Sequence, residues 1–207
     1  LDKGRMNRMV AHLADTAEFD RPHRVPSLSA DHPKYNPLGR YWQGGVWPGT
    51  NYMTIDGLYR KGYHDLAREI AANHYAAVFE VWKNTGTFWE YYAPEKIEPG
   101  FMARKDFVGW TGLPPIAVFI EYILGVKSDY SEGRIVWDIE HTEAHGIERY
   151  PYGPDGVVGL KVKRRASAGE TPSVSVETNV PFDLTVTWGD GRSRTVRVEK
   201  SGRVKLN

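Results

Sequence analysis

The spacing of apolar residues changes period near residue 126, and that change sets what the chain can fold into. Upstream, apolar side chains recur every three to four residues, the pattern of helices with one buried face. Met6, Met9, Val10 and Leu13 predict a helix over about 2–18, already under way at the first residue, so the sequence reads as beginning inside a longer chain. The stretch Asp20 to Arg40 holds four prolines and no periodicity, and reads as a loop. A second helix is expected from Pro48, a residue suited to a first helical turn, with Ile55, Leu58 and Tyr59 on one face and a stop at Gly62. A third carries Leu66, Ile70, His74, Val78, Val81 and Trp82 and ends at Asn84–Gly86. A fourth spans about Pro115 to Leu124, with Ile116, Phe119, Ile120 and Ile123 as its stripe.

Downstream the period becomes two, in short runs at Ile135–Ile139, Val157–Val162, Val174–Glu177, Leu184–Trp188 and Val196–Val198. Gly189-Asp190-Gly191 between the last two is a hairpin signal. The expectation is a mainly α fold: a helical region over 1–126, then a small antiparallel β-sandwich-like module over 127–207.

Composition narrows the function. With 27 Lys and Arg against 26 Asp and Glu, the net charge of +1 argues against a nucleic-acid or acidic-membrane footprint. No apolar run approaches the roughly 20 residues of a membrane helix. The absence of cysteine excludes disulfides, CxxC zinc sites and a thiol nucleophile, and suits cytosol and periplasm alike. Aromatic residues are unevenly placed: 19 of the 88 residues from Tyr35 to Tyr122, but 6 of the last 81. Candidate chemistry therefore belongs to the helical region.

Three aromatic segments stand at expected helix boundaries: Tyr41-Trp42-Gln43-Gly44-Gly45-Val46-Trp47-Pro48, Gly86-Thr87-Phe88-Trp89-Glu90-Tyr91-Tyr92 and Asp106-Phe107-Val108-Gly109-Trp110-Thr111-Gly112. Each sets indole or phenol rings beside a polar group and glycines. Aromatic faces stack on the C–H faces of sugars while amides and carboxylates bind hydroxyls, a mixture common in ligand pockets. Glu90, between Trp89 and Tyr91, is placed where rings can shield a carboxylate. Taken alone, any one of these segments more often packs a core than lines a ligand site, and an isolated Glu90 is more often a helix cap or an ion-pair partner.

The ordered series Val25-Pro26-Ser27-Leu28-Ser29, YWQGGVWPGTNYM, GYHDLA, GTFWEYYAPE and DFVGWTGLPPIA resembles the C-terminal part of bacterial glycoside hydrolases of family 63. These are mannosylglycerate-hydrolase-like enzymes, related to processing α-glucosidases and trehalases. The resemblance covers about residues 1–126 and implies part of an (α/α)6 toroid, with the β module as a tail. It implies that Glu90 is a general base, that Tyr41, Trp42, Gln43 and Trp47 line the sugar subsite, and that Trp89, Tyr91 and Trp110 form nearby wall. It further implies inverting hydrolysis of an α-glucoside or α-mannoside of a small or short oligosaccharide, without cofactor or metal. Inversion needs a second carboxyl group about 6.5–9.5 Å away. That acid lies on an earlier part of the toroid, so the partners implied are a carbohydrate and either an N-terminal half of the same enzyme or an oligomeric partner. Asp106 reads as a cap.

Other candidates are weaker. His141 and His145 stand four apart, but Glu143 is at the wrong offset for HExxH. Lys161-Val162-Lys163-Arg164-Arg165 reads as a solvated strand edge. Two alternatives remain open: a non-catalytic carbohydrate-binding or structural fragment, and part of a helical-toroid polysaccharide lyase in which Tyr or His takes the proton.

Overall fold

A computed structural model describes residues 2–206. It divides into two compact units, 1–123 and 124–207. The first contains α1 (Lys3–Leu13), α2 (Pro48–Arg60), α3 (His64–Thr85), a short 3-10 turn (Trp110–Gly112) and a π-wound helix, α4 (Pro114–Ile123). The second contains β1 (Val126–Asp129), β2 (Arg134–Ile139), β3 (His145–Tyr152), β4 (Gly156–Val162), β5 (Val174–Thr178), β6 (Phe182–Trp188), β7 (Arg192–Val198) and β8 (Gly202–Val204).

This corrects the expected fold class. Among the described residues, four helices and two four-stranded sheets make a mixed α/β protein, not a mainly α partial toroid. Two long loops interrupt the helical region: residues 14–47 and 86–109 hold no helix. α1 stops at Leu13 because the Asp15 carboxylate accepts the Ala17 amide at 2.8 Å, offering the backbone a turn in place of a helical bond.

Each helix follows from its punctuation. Pro48 begins α2 where its missing N–H costs nothing. α3 ends at Gly86, whose left-handed φ of 72° lets its amide reach the Trp82 carbonyl at 2.7 Å. Ala67, Ile70, Ala71, Ala77, Val78 and Val81 form the buried stripe of α3. Ile55 and Leu58 of α2 meet Ile70 of α3 and Val118 and Tyr122 of α4 in one core; Val46, Val78, Val81 and Tyr92 form a second.

In α4 the Val118 amide bonds the Leu113 carbonyl five residues back. The wider turn lines up Pro114, Val118 and Tyr122 as its buried residues and leaves Ile116 62% exposed. Of the stripe expected at 3.6-residue spacing, Ile116 turns outward, while Phe119 stacks on Tyr75 of α3 at 5.2 Å.

The second unit is not purely antiparallel. Its sheets run β1-β2-β6-β7 and β3-β4-β5-β8, and β2 pairs with β6 in parallel, Ile135 opposite Leu184 and Trp137 opposite Val186. β6 buries alternate residues, and β2 buries Ile135, Trp137 and Ile139 at the same spacing with Asp138 buried between the last two. Arg165, 4% exposed, ties the unit together from a loop. Its guanidinium donates to the carbonyls of Ala168, Glu170, Ile139 and His141 at 2.8–3.1 Å. Arg165→Met keeps most of the volume but removes four donors, and is expected to cost about 2–4 kcal/mol. A fall in the urea midpoint of the second unit, followed by Trp137 and Trp188 fluorescence, checks this; an unchanged midpoint refutes the role.

Candidate functional site

The three aromatic segments are held side by side by short backbone pairings. Val46 and Tyr92 exchange two hydrogen bonds, 2.9 and 3.0 Å; Pro26 bridges to Val46, and Pro99 to Tyr92. The YWQGG segment is a tight turn in which Tyr41 adopts φ 51° and its carbonyl accepts the Gly45 amide at 3.0 Å. A Cβ on Gly45 would stand 2.4 Å from that carbonyl oxygen, so the second glycine is obligatory. The same carbonyl accepts the Trp47 indole N–H at 3.3 Å, aiming the ring.

Trp47 is the centre of the cluster. Its ring stacks on Trp42 at 4.3 Å and on Tyr91 at 4.5 Å, and Trp42 and Tyr91 make no ring contact with one another among the described residues. The two rings therefore cover opposite faces of Trp47, which is only 4% exposed. Tyr41 and Trp110 approach it at 5.0 and 5.8 Å. Trp47 thus fills the cluster, and the rings that face outward are Tyr41, Trp42 and Trp110, 54%, 50% and 39% exposed. Beside them lies a hollow of about 210 Å³ lined by Trp42, Trp47, Gly49, Thr50, Met53 and Trp110. Gly49, Thr50 and Met53 escaped the sequence analysis because they belong to the first turns of α2, read there only as helix.

Tyr91 is buried, its hydroxyl donating to the Phe101 carbonyl at 2.9 Å. Burial first, and then the charge of neighbouring Glu90, push its phenol above the usual range. Trp89 points elsewhere. Its ring packs on Val46, Val78, Val81 and Tyr92, and its N–H donates to Thr85 Oγ1 at 3.1 Å. Gln43 contributes its backbone to the turn, accepting from Asn36 at 2.8 Å and donating to Arg40 at 2.9 Å. Its amide side chain makes no protein hydrogen bond among the described residues.

Glu90 is fixed by its backbone and left open at its side chain. Its amide donates to the Arg104 carbonyl at 3.0 Å, and its carbonyl accepts the Trp110 indole N–H at 2.7 Å. The preceding carbonyl, of Trp89, accepts Thr111 Oγ1 at 2.7 Å. The carboxylate has no hydrogen-bond or ion-pair partner among the described residues, although the residue is partly buried. Asp106, by contrast, accepts Thr87 Oγ1 at 2.7 Å. Thr111, fully buried, is a residue that sequence reasoning missed; its adjacency to Trp110 was the available signal. Among the described residues, no group of three or more His, Asp or Glu stands close enough to hold a metal ion.

An open carboxylate on a clamped backbone, next to outward-facing indoles, can activate water beside a stacked sugar. Thr111→Val removes one bond of the clamp with little change of shape. An expected loss of about 1–2 kcal/mol, restored by Thr111→Ser, is read from thermal unfolding; equal losses in both variants would assign the effect to packing.

Residues 1–107 match the family described as the mannosylglycerate hydrolase MGH1-like glycoside hydrolase domain. A probable mannosyl-oligosaccharide glucosidase of Schizosaccharomyces pombe is 33% identical over 122 residues, covering 54% of this chain and 15% of that protein. The mannosylglycerate hydrolase MGH1 of Selaginella moellendorffii is 40% identical over 75 residues, 36% of this chain and 14% of that one. The solved structure of a GH63 mannosylglycerate hydrolase from Thermus thermophilus in complex with glucose is 25% identical, with a TM-score of 0.45 over 58% of this chain and 26% of that chain. The chain spans about a seventh of the length of these two curated relatives.

Proposed function

Because the chain belongs to the mannosylglycerate hydrolase MGH1-like glycoside hydrolases, we propose that its first unit carries the general-base side of a glycosidase site. Glu90 takes a proton from water as that water attacks the anomeric carbon, and the configuration inverts. The observation that carries this reading is the Glu90 carboxylate, unpartnered among the described residues while its backbone is bound on both sides. A base must keep its lone pairs free for water and must not drift, and this arrangement serves both needs.

The substrate under this reading is an α-glucoside or α-mannoside of a small or short oligosaccharide, its sugar ring resting on Trp42 and Trp110 at the 210 Å³ hollow. Tyr41 and the Gln43 amide supply a ring edge and hydroxyl contacts. Trp47 and Tyr91 act from beneath, holding Trp42 at its angle. The general acid is supplied by another part of the enzyme or by a partner chain, since Asp106 is engaged with Thr87. No cofactor enters the step: a protonated leaving oxygen and an activated water suffice.

In the active enzyme, Glu90→Gln is expected to lower kcat by about 10²–10⁴-fold, the range lost with a general base. Sugar affinity, followed by quenching of Trp42 and Trp110 fluorescence, should stay within about threefold. A loss of kcat below tenfold removes Glu90 from the chemistry. Turnover absent in both proteins, with affinity intact, would favour a binding role. A product absorbing as an unsaturated uronide would indicate a lyase.

A further inference from the structure

The aromatic cluster leans on a strap, residues 22–25, that has almost no regular structure and is held down by groups from three other segments. From α3, Asn73 donates to the Pro22 carbonyl and accepts the Arg24 amide, both at 3.0 Å. From α2, Asn51 accepts the Val25 amide at 2.7 Å and donates to the carbonyls of Val25 and Trp47 at 3.1 and 3.0 Å. The His23 amide donates to the Pro94 carbonyl at 2.9 Å, two residues beyond Tyr92. At the centre, His23 Nε2 lies 2.9 Å from His74 Nδ1 of α3. Both rings are completely buried; His74 Nε2 makes no hydrogen bond among the described residues, and the polar group beside the outer side of His23 is the Ala93 backbone.

We propose that the His23–His74 pair is an acid-operated latch: proton uptake releases the 22–25 strap from α3 and withdraws the support of Trp47. The facing nitrogens must be one donor and one acceptor, so two protonated rings cannot face each other there. A charge on either ring would be buried without a counter-ion. The carboxylates around the pair are engaged elsewhere. Asp20 and Glu69 hold Arg24 at 2.8 and 2.6 Å, and Glu95 holds Arg21 at 2.7 Å while accepting the Tyr35 hydroxyl at 2.6 Å. Tyr92, the remaining titratable group against the pair, presents its ring to His23 at 5.5 Å, and burial keeps its phenol protonated.

Burial holds both imidazoles well below the usual value of 6.5. For His23 the neighbouring His74 adds to the effect and the Ala93 carbonyl partly opposes it, while His74 falls to about 3. With the strap closed the rings are neutral; with it open they titrate normally. Below about pH 6.5 the open form binds more protons, so the closed form is fully favoured above that pH and loses ground as pH falls. Release reaches the site by two routes, through Asn51 to the Trp47 carbonyl and through the Tyr92–Val46 pairing to the residue before Trp47.

Amide hydrogen exchange on the 207-residue chain, corrected for intrinsic rates and run from about pH 7.5 to about pH 5, tests this without any substrate. Protection at the amides of His23, Arg24 and Val25 is expected to fall below about pH 6.5, by up to about tenfold per pH unit for each ring protonated on release. Val78 and Val81 in α3 should change less, and Trp fluorescence should shift over the same range. His74→Asn and His23→Gln should each remove about one proton from the dependence. Should neither variant fold, the wild-type profile decides. A pH-independent strap, or strap and α3 amides failing in parallel, overturns the latch.

Discussion

Val46 and Tyr92 pair through two backbone hydrogen bonds, 2.9 and 3.0 Å long, flanked by single bridges to Pro26 and Pro99. The site of the first unit depends on that pairing. It places Trp47 and Tyr91, the next residue on one side and the preceding residue on the other, so that their rings stack at 4.5 Å. From Trp47 the order spreads outward: Trp42 stacks on its other face, the Tyr41 carbonyl receives its N–H, and Pro48 begins α2 directly after it. The burial of Val46 and Tyr92, both fully enclosed, keeps water from competing for the two bonds.

Long loops impose a problem that helices solve internally: each buried N–H and C=O needs a partner from elsewhere. Here the partners are side chains of neighbouring elements. Asn51 alone serves three backbone groups, Asn73 two, and Thr111 one. Arg165 plays the corresponding part in the second unit with four carbonyls. Such bonds give modest net stability each, but their loss strands a buried group, so the loops are specified by a few polar residues more than by apolar pattern.

This division explains what the sequence disclosed. The start of α2 at Pro48 and the end of α3 before Gly86 were legible because proline and glycine act locally, and β4, β5 and β6 because alternation survives where one face is buried. β3 was invisible: it contains Pro151, a bulge between Ile147 and Tyr150, and Arg149 at φ 55°, so no alternation remains. The parallel pairing of β2 with β6 is a matter of tertiary order that no local pattern encodes. At the site, the structure brings the marked segments together, but ring orientation lay beyond their motifs. Trp89 and Trp110 have the same chemistry, yet one packs into a core beside Val78 and the other faces outward over the carbonyl of Glu90. The α4 stripe missed Ile116 for a related reason, since the π winding that turns Ile116 outward is not announced by the spacing.

Rigidity at the site resides in the aromatic stack, and freedom is left to one carboxylate. Aromatic side chains have two rotatable bonds, so fixing Trp42 and Tyr91 against Trp47 costs little entropy while creating a firm surface. Glu90 has three, and no bond among the described residues fixes its end. Its backbone is bound at N–H and C=O, so the freedom that remains is confined to the side chain. A structural carboxylate in a partly buried position would be expected to find a partner, as Glu95 does with Arg21 and Tyr35, where the Arg21 hydrogen bond leads in holding its carboxyl below the usual range. The two glutamates lie five residues apart in one segment, and the contrast between them separates a residue that holds the loop from one that the loop holds.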